Sequence, residues 1–468
     1  MNKNEELAKN TAIITVGKIC TQFMSFFLMP LYTSVLTPEE YGIVDLIITY
    51  SSLLMPVILF QVDQALFRFL IDVRNNNQEK EKIISTIFVF ALMQAVITII
   101  IFAFIQSLIT TEYKWFLLFN ILASICANMM LQTARGFGDN VSYAFGSFLS
   151  AFMQILGNVF LLIIINMGVY GMLYASIFSQ LFTAILLFFR ERIYAFISIK
   201  KVNKGILRKI LQYSMPLIPN ALCWWVLSAS DRTIVLAFLG TSFNGLLSIG
   251  HKFSSAYITF YNIFNISWTE SAALHINDSD QEIFFSGVIT NMFKLFMCTA
   301  VGIIASLPFA FPVLINSKFQ EAYKIIPIFM LSSMLNVVVG LYSVVYVALK
   351  KTKEIAKTSI YSGIINIVMH ILLIKFIGLY AAAISTVFAF GLIAVYRYFD
   401  IKKYIQIRLE KKWIVLIVFM YIVTCFSYYT NRTLLQITVL LGVFIISFVI
   451  NKSLILLGVK LIIKKIKK

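Results

Sequence analysis

Charge is scarce in this chain, and acid is scarcer than base. Asp, Glu, Lys and Arg together are 13% of 468 residues, with 21 Asp and Glu against 39 Lys and Arg. A soluble domain wants about 25–35% charge on its surface, so this chain cannot clothe itself for water. Cysteine is low as well. Cys20, Cys126, Cys223, Cys298 and Cys425 all lie in apolar runs with no C-x-x-C pair, which excludes a disulfide scaffold and a zinc site. The three histidines, His251, His275 and His370, are too scattered to form a metal cluster. No Walker A loop, no G-x-G-x-x-G and no H-E-x-x-H occurs, so no metal and no cofactor are expected, and the chain does not read as an enzyme.

What is abundant is apolar length. Hydrophobic residues make up 60% of the chain and the mean hydropathy is +0.87. About 20 apolar residues cross a bilayer. By that measure the sequence predicts an all-α polytopic membrane protein of about fourteen transmembrane helices. The first covers Thr11–Val35, the second Gly42–Phe69, the seventh Ile210–Leu239, the eighth Gly245–Ala272 and the twelfth Leu379–Tyr396. Trp413–Tyr429 and Leu434–Leu457 are the last two. The polar opening MNKNEELAKN lacks a small-residue cleavage site, so no removable signal peptide is expected.

Basic residues set the expected orientation. With the N-terminus inside, the outer loops hold only Lys114, Lys318, Lys324, Lys375 and Arg432 of the 39 Lys and Arg. This bias places both termini in the cytoplasm. The excess of base is thus topological; there is no basic soluble domain to hold nucleic acid. The longest inner loop, RERIYAFISIKKVNKGILRK, mixes bases with apolar residues and reads as a helix lying on an anionic membrane surface.

Two stretches repeat. LTPEEYGIVDL at Leu36–Leu46 aligns with LGTSFNGLLSI at Leu239–Ile249, and GVYGMLYAS at Gly168–Ser176 aligns with GLYAAAIST at Gly378–Thr386. Both fall in the same order at nearly the same spacing. They predict two six-helix lobes related by a parallel pseudo-twofold repeat, followed by two extra helices. The expected division is 1–190 for the first lobe, 191–209 for the basic linker, 210–400 for the second lobe and 401–468 for the last two helices and a basic tail.

Charges inside the helices are the candidates for function, because an ionisable group at membrane depth costs at least ~2.5 kcal/mol unless it faces protein or water. Asp231-Arg232 and His251-Lys252 flank the turn at Gly240–Asn244, each about 12 Å from it at 1.5 Å rise per residue, and so share a depth. With Lys18 and Lys294 they form a mostly cationic set. Lys18, Arg232, Lys252 and Lys294 are expected to bind an anionic substrate such as a pyrophosphate, Arg as a bidentate fork and Lys as a point charge. Asp231, His251, Asp63 and Glu270 are the candidates for modulating that charge or coupling an ion. The plain alternative for Asp231 is a structural salt bridge to Arg232 or Lys252. Asp45 and Arg68 lie near the ends of their helix, where snorkelling explains them. Among the eight prolines, Pro30 is the hinge candidate; Pro56, Pro216, Pro219 and Pro327 are read as static bends.

These residues carry a family resemblance. MPLYTSVLTPEEYGIVDL (Met29–Leu46), DQALFRFL (Asp63–Leu70), YSMPLIPNAL (Tyr213–Leu222), SDRTIVLAFLG (Ser230–Gly240), GHKFSSAY (Gly250–Tyr257) and SWTESAA (Ser267–Ala273) resemble the Wzx-type polysaccharide, or O-antigen, flippases. These belong to the multidrug/oligosaccharidyl-lipid/polysaccharide exporter superfamily. The resemblance implies a flippase that moves undecaprenyl-pyrophosphate-linked oligosaccharides from the inner to the outer leaflet of the bacterial cytoplasmic membrane by alternating access. It also implies coupling to an ion, H+ or Na+, or to the membrane potential, and partners among polysaccharide polymerase and assembly proteins for capsule or O-antigen. The last two helices are similar in placement to the extra pair of the lipid II flippases, which implies a groove for the polyprenyl tail. Two other readings stay open: a cation-coupled multidrug exporter of the same fold, which acids deep in the first lobe would mark, and a membrane glycan polymerase or glycosyltransferase, which a large outer loop would mark.

Overall fold

The computed structural model describes residues 26–109, 111–407, 410–430 and 432–466. Among the described residues there are sixteen α-helices and no strand. In chain order they are α1 Met29–Val35, α2 Pro38–Ile58, α3 Val62–Asp72, α4 Asn77–Ile105, α5 Lys114–Phe137, α6 Asn140–Val159, α7 Gly168–Arg190 and α8 Lys204–Ser214. There follow α9 Leu217–Leu239, α10 Thr241–His275, α11 Gln281–Leu314, α12 Gln320–Ala348, α13 Thr352–Ile377, α14 Tyr380–Ile401, α15 Lys411–Tyr429 and α16 Thr433–Ile466. Eleven are long and apolar enough to cross a membrane, and these match eleven of the fourteen expected spans. The expected seventh and eighth are present as helices α9 and α10, while most of the expected first lies outside the described residues. Rows of bare apolar side chains confirm the solvent. On α4, Leu92, Val96, Ile100 and Phe104 are all exposed, a face that water would not tolerate and acyl chains would cover. The chain is a multi-pass membrane protein.

The chain divides into two compact units. One is Met1–Thr233 with Thr241–Gly245; the other is Ile234–Gly240 with Leu246–Lys468. In the first, α5 packs against α2, α3, α6 and α7. In the second, α14 packs against α12 and α13, and α11 carries both α15 and α16.

Local chemistry sets the helix starts and breaks. Thr37 caps α2 in a reciprocal box with Glu40: Glu40 N–H donates to Thr37 Oγ1 at 3.3 Å and Thr37 N–H to Glu40 Oε2 at 2.7 Å. Pro38 fills the first helical position, where its missing N–H costs nothing. The expected second span, read as one helix, is two. α2 runs through Pro56 and stops at Ile58; Phe60 and Gln61 then take φ of 50° and 57°, and α3 begins at Val62. Non-glycine residues in that region store strain, which the packing on either side must hold. Pro30 opens α1, just after a turn at Leu28, so the first span is broken there.

The basic linker is not one surface helix. Residues Ile193–Phe196 and Ile199–Lys201 form tight turns that fold back on α4, and only then does α8 start. Ser85 Oγ donates to the Phe196 carbonyl at 3.0 Å and accepts from Ser198 N–H at 2.8 Å, while Thr86 Oγ1 accepts from Asn203 N–H at 3.0 Å. Burial of Ile193 completes the docking. Two hydroxyls on α4 thus satisfy the linker backbone, which a helix free on a membrane surface would not need.

Both repeats are visible in the backbone. α2 and α10 begin 203 residues apart, at Pro38 and Thr241, as the alignment requires. Gly168 and Gly378, aligned in the second repeat, have φ of 52° and 55°, each at the start of a helix. Glycine enters that region without the Cβ penalty, so its recurrence at the two aligned positions has a steric cause.

Candidate functional site

Arg232 is a largely sequestered cation of the first unit. It lies near the end of α9, and its Nε donates to Asp45 Oδ2 on α2 at 2.6 Å. The two side chains are only 18% and 16% exposed. Asp231, the preceding residue, is buried, and Thr233 meets Tyr50 through a 3.2 Å hydroxyl contact. A close approach of backbones accompanies this arrangement. A Cβ on Gly42 would strike the Thr241 carbonyl oxygen, and one on Gly245 would strike the Pro38 carbonyl oxygen. Asn244 Nδ2 adds a 3.4 Å bond to the Gly42 carbonyl. Two glycines therefore let α2 and the start of α10 touch, one turn from Asp45. Pairing matters here because a lone charge at low dielectric would carry its full desolvation cost.

The structure assigns Arg232 a partner that the sequence did not offer. Asp45 looked like a snorkelling residue at a helix end; instead it is directed at Arg232. Asp45, Asp231 and Arg232 thus fall together in the first unit, two carboxylates with one guanidinium. Lys18 lies outside the described residues. His251, Lys252, Glu270 and Lys294 belong to the second unit. There the His251 ring lies tilted against Phe329 with centroids 4.1 Å apart, and Lys252 is half-buried beside it. Lys294 holds its ammonium 5.1 Å over the Trp413 ring. It also adds to the field of Lys412, which holds the Glu410 carboxyl below its ordinary range. Glu270 is exposed. Asp63, back in the first unit, accepts from Gln64 Nε2 at 3.1 Å at the start of α3, where an acid suits the helix N-terminus.

A second polar feature in the first unit went unnoticed in the sequence. A cavity of about 340 Å³ lies among α2, α5, α6 and α7. Its walls are Ile48, Ser51, Ser52 and Met55 on α2, Asn120, Ser124 and Asn128 on α5, Gln154 on α6, and Ser176 and Gln180 on α7. Asn120, Ser124 and Asn128 stand at i, i+4 and i+8, one stripe of one helix; Ser176 and Gln180 are a matching i, i+4 pair. The stripes bond to each other: Asn120 Nδ2 to Ser176 Oγ at 3.1 Å, Ser124 Oγ to Gln180 Oε1 at 2.5 Å, and Gln180 Nε2 to Asn120 Oδ1 at 3.2 Å. No charged residue is among the lining. The signal was legible in principle as polar residues at helical spacing inside apolar runs, but serines and amides raise no alarm in a charge search.

The family described as "Polysaccharide biosynthesis protein" matches residues 7–269. No curated protein matches. Among solved structures, the chain is similar to a lipid II flippase MurJ in an inward closed conformation, at 17% identity and a TM-score of 0.67, over 95% of this chain and 100% of that one. It is equally similar, at a TM-score of 0.67 and 13% identity, to an inward-facing multidrug resistance MATE family transporter of the MOP superfamily, over 82% of this chain and 95% of that one. A MOP superfamily transporter from Pyrococcus furiosus matches at a TM-score of 0.55 and 13% identity, over 84% and 96%. At these identities the likeness establishes the fold.

Proposed function

The chain belongs to the polysaccharide biosynthesis protein family, and from that premise we propose that it is a flippase for lipid-linked oligosaccharides, carrying an undecaprenyl-pyrophosphate-linked glycan from the inner to the outer leaflet of a bacterial cytoplasmic membrane. The observation that carries the reading is the Arg232–Asp45 pair at 2.6 Å between two helices of a membrane protein. An arginine kept at that position by a movable counter-ion is a ready site for a phosphate: a pyrophosphate would accept the guanidinium fork in two bonds and release Asp45. Asp231 beside it would keep the cation balanced while the site is empty. Lys18, Lys252 and Lys294 are the further candidate contacts for the anionic headgroup. The MurJ likeness supports a lipid carrier, since that protein is a lipid II flippase by name. The first unit does hold sequestered acids, but Asp45 is engaged by Arg232 at 2.6 Å and the cavity lining contains amides and hydroxyls and no carboxylate, which supports a neutral polar ligand there over an organic cation.

Reconstitution tests the proposal. Purified protein in vesicles with a fluorescent undecaprenyl-pyrophosphate-linked oligosaccharide in the inner leaflet should expose the sugar outside, read by a membrane-impermeant quencher. Arg232→Ala should abolish the exposure and Arg232→Lys should restore it in part. Quenching no faster than in empty vesicles would overturn the reading.

A further inference from the structure

We propose that the charge-free cavity among α2, α5, α6 and α7 is a sugar subsite, binding the glycan part of the same lipid-linked substrate; the inference rests on the flippase reading. Three observations carry it. The size, about 340 Å³, falls within the ~300–1,000 Å³ of small-molecule sites. The chemistry is that of a polyol partner: eight of the ten lining residues are Ser, Asn or Gln, and each amide offers two donors and two acceptor lone pairs to hydroxyl groups that also donate and accept. A phosphate would need a cation there and an acyl chain an apolar wall; the lining offers neither.

The third observation is which amides are spoken for. Asn120, Ser124, Ser176 and Gln180 bond to one another and form a fixed wall. Asn128 and Gln154 line the same cavity, and among the described residues neither side chain makes a hydrogen bond. Amides left unpaired inside a helical unit take water as a stand-in, and a sugar hydroxyl that reproduces those bonds displaces it without loss. Exposure of Ile48 and Ser52 opens the cavity at the surface of the unit. Position fits as well. Asp45 and Ser52 are seven residues apart on one face of one helix, so a phosphate at Arg232 and a ring in the cavity would follow one another along α2 at about 10 Å.

The test uses the full chain in detergent and native mass spectrometry. The probes are the pooled polyprenyl-linked oligosaccharides extracted from the source cells and, as the stripped pool, undecaprenyl pyrophosphate that carries no sugar. Wild type should retain the intact pool over the stripped one by about tenfold or more, the worth of one or two hydrogen bonds. Asn128→Ala and Gln154→Ala should each lower that ratio severalfold and together bring it near one, with binding of the stripped pool and the melting temperature unchanged. Arg232→Ala should instead weaken both pools alike. An unchanged ratio in the Asn128 and Gln154 variants overturns the sugar subsite and leaves the flippase reading standing. Retention of neither pool by wild type overturns both. Stabilisation by sodium over potassium that Asn128→Ala removes, with the ratio unchanged, also overturns the subsite and makes the cavity a cation site.

Discussion

Gly42 and Gly245 occupy the same place in the two copies of the repeat and pack backbone to backbone. A Cβ on Gly42 would meet the carbonyl oxygen of Thr241 and, at 2.9 Å, the nitrogen of Gly245; a Cβ on Gly245 would meet the carbonyl oxygen of Pro38 and, at 3.1 Å, the nitrogen of Gly42. Pro38 and Thr241 are themselves aligned positions, so the contact is close to self-symmetric. Backbone cannot swing aside as a side chain does. Gly42→Ala and Gly245→Ala should therefore each cost ~1–3 kcal/mol by overpacking. Gly302→Ala, in α11 with nothing within 4 Å, should be neutral or stabilising by ~0.5–1 kcal/mol, the ordinary helix gain. Thermal melts in detergent read all three, and a Gly42→Ala protein as stable as Gly302→Ala would contradict the contact.

The Arg232–Asp45 pair separates structure from transport. Removing one partner leaves a charge in a poor solvent, a loss of ~3–5 kcal/mol when fully buried and less here because both side chains keep some exposure. Asp45→Asn or Arg232→Gln alone should lower the melting temperature. The double variant should recover part of it, since neither member of the pair is left charged and alone, while the buried Asp231 still loses its neighbouring guanidinium. Flipping should follow a different rule: lost in every variant without Arg232, including the stable double one. If transport returned along with stability, the arginine would be a strut and nothing more.

Much of the fold was readable because span length and repeat order are properties of the sequence itself. Thr37-Pro38 with Glu40 is a capping box readable in the sequence, although the span is expected to start at Gly42, and the aligned Gly168 and Gly378 adjoin the starts of α7 and α14. What escaped was tertiary. The break after Ile58 uses Phe60 and Gln61, which carry no signature of positive φ. Arg397 lies one residue past the expected end of the twelfth span, where a base reads as part of an inner loop, yet it is 1% exposed. Asp45 near a helix end looks the same in sequence whether it snorkels or pairs with a residue 187 positions away. The neutral cavity needs four helices to be seen together, though each polar stripe was already spaced for it.

Orientation is a prediction from loop charge alone. The loop Ile315–Phe319 joins α11 to α12 and should face the periplasm, while the C-terminus should face the cytoplasm. Alkaline phosphatase fused within the loop should be active, and fused after Lys468 inactive. Activity at the C-terminus would reverse the topology and with it the direction of transport.

Arg397 gives the last prediction, and it runs against the usual ranking of substitutions. Its guanidinium joins α14 to α12 and α13: Nε donates to Thr358 Oγ1 at 3.1 Å, Nη2 to the same oxygen at 2.6 Å, and Nη1 to the Val339 carbonyl at 3.1 Å and to Ser343 Oγ. Among the described residues no carboxylate pairs with it; nearby Asp400 takes Tyr346 and Lys403, each at 2.8 Å. Lysine at 397 would keep the buried charge and lose the fork, so its ammonium could not span Thr358 and Ser343 together. Methionine would remove the charge and keep most of the volume. It would orphan nothing among the hydroxyls, because Thr358 already donates to the Glu354 carbonyl and Ser343 to the Val339 carbonyl, each at 2.8 Å. Arg397→Lys should then cost ~3 kcal/mol or more, and Arg397→Met less than ~1.5 kcal/mol. Melting curves of the two purified variants decide it. If lysine is the better replacement, the charge at this position matters for more than packing, and the flipping assay with Arg397→Met becomes the measurement that shows where.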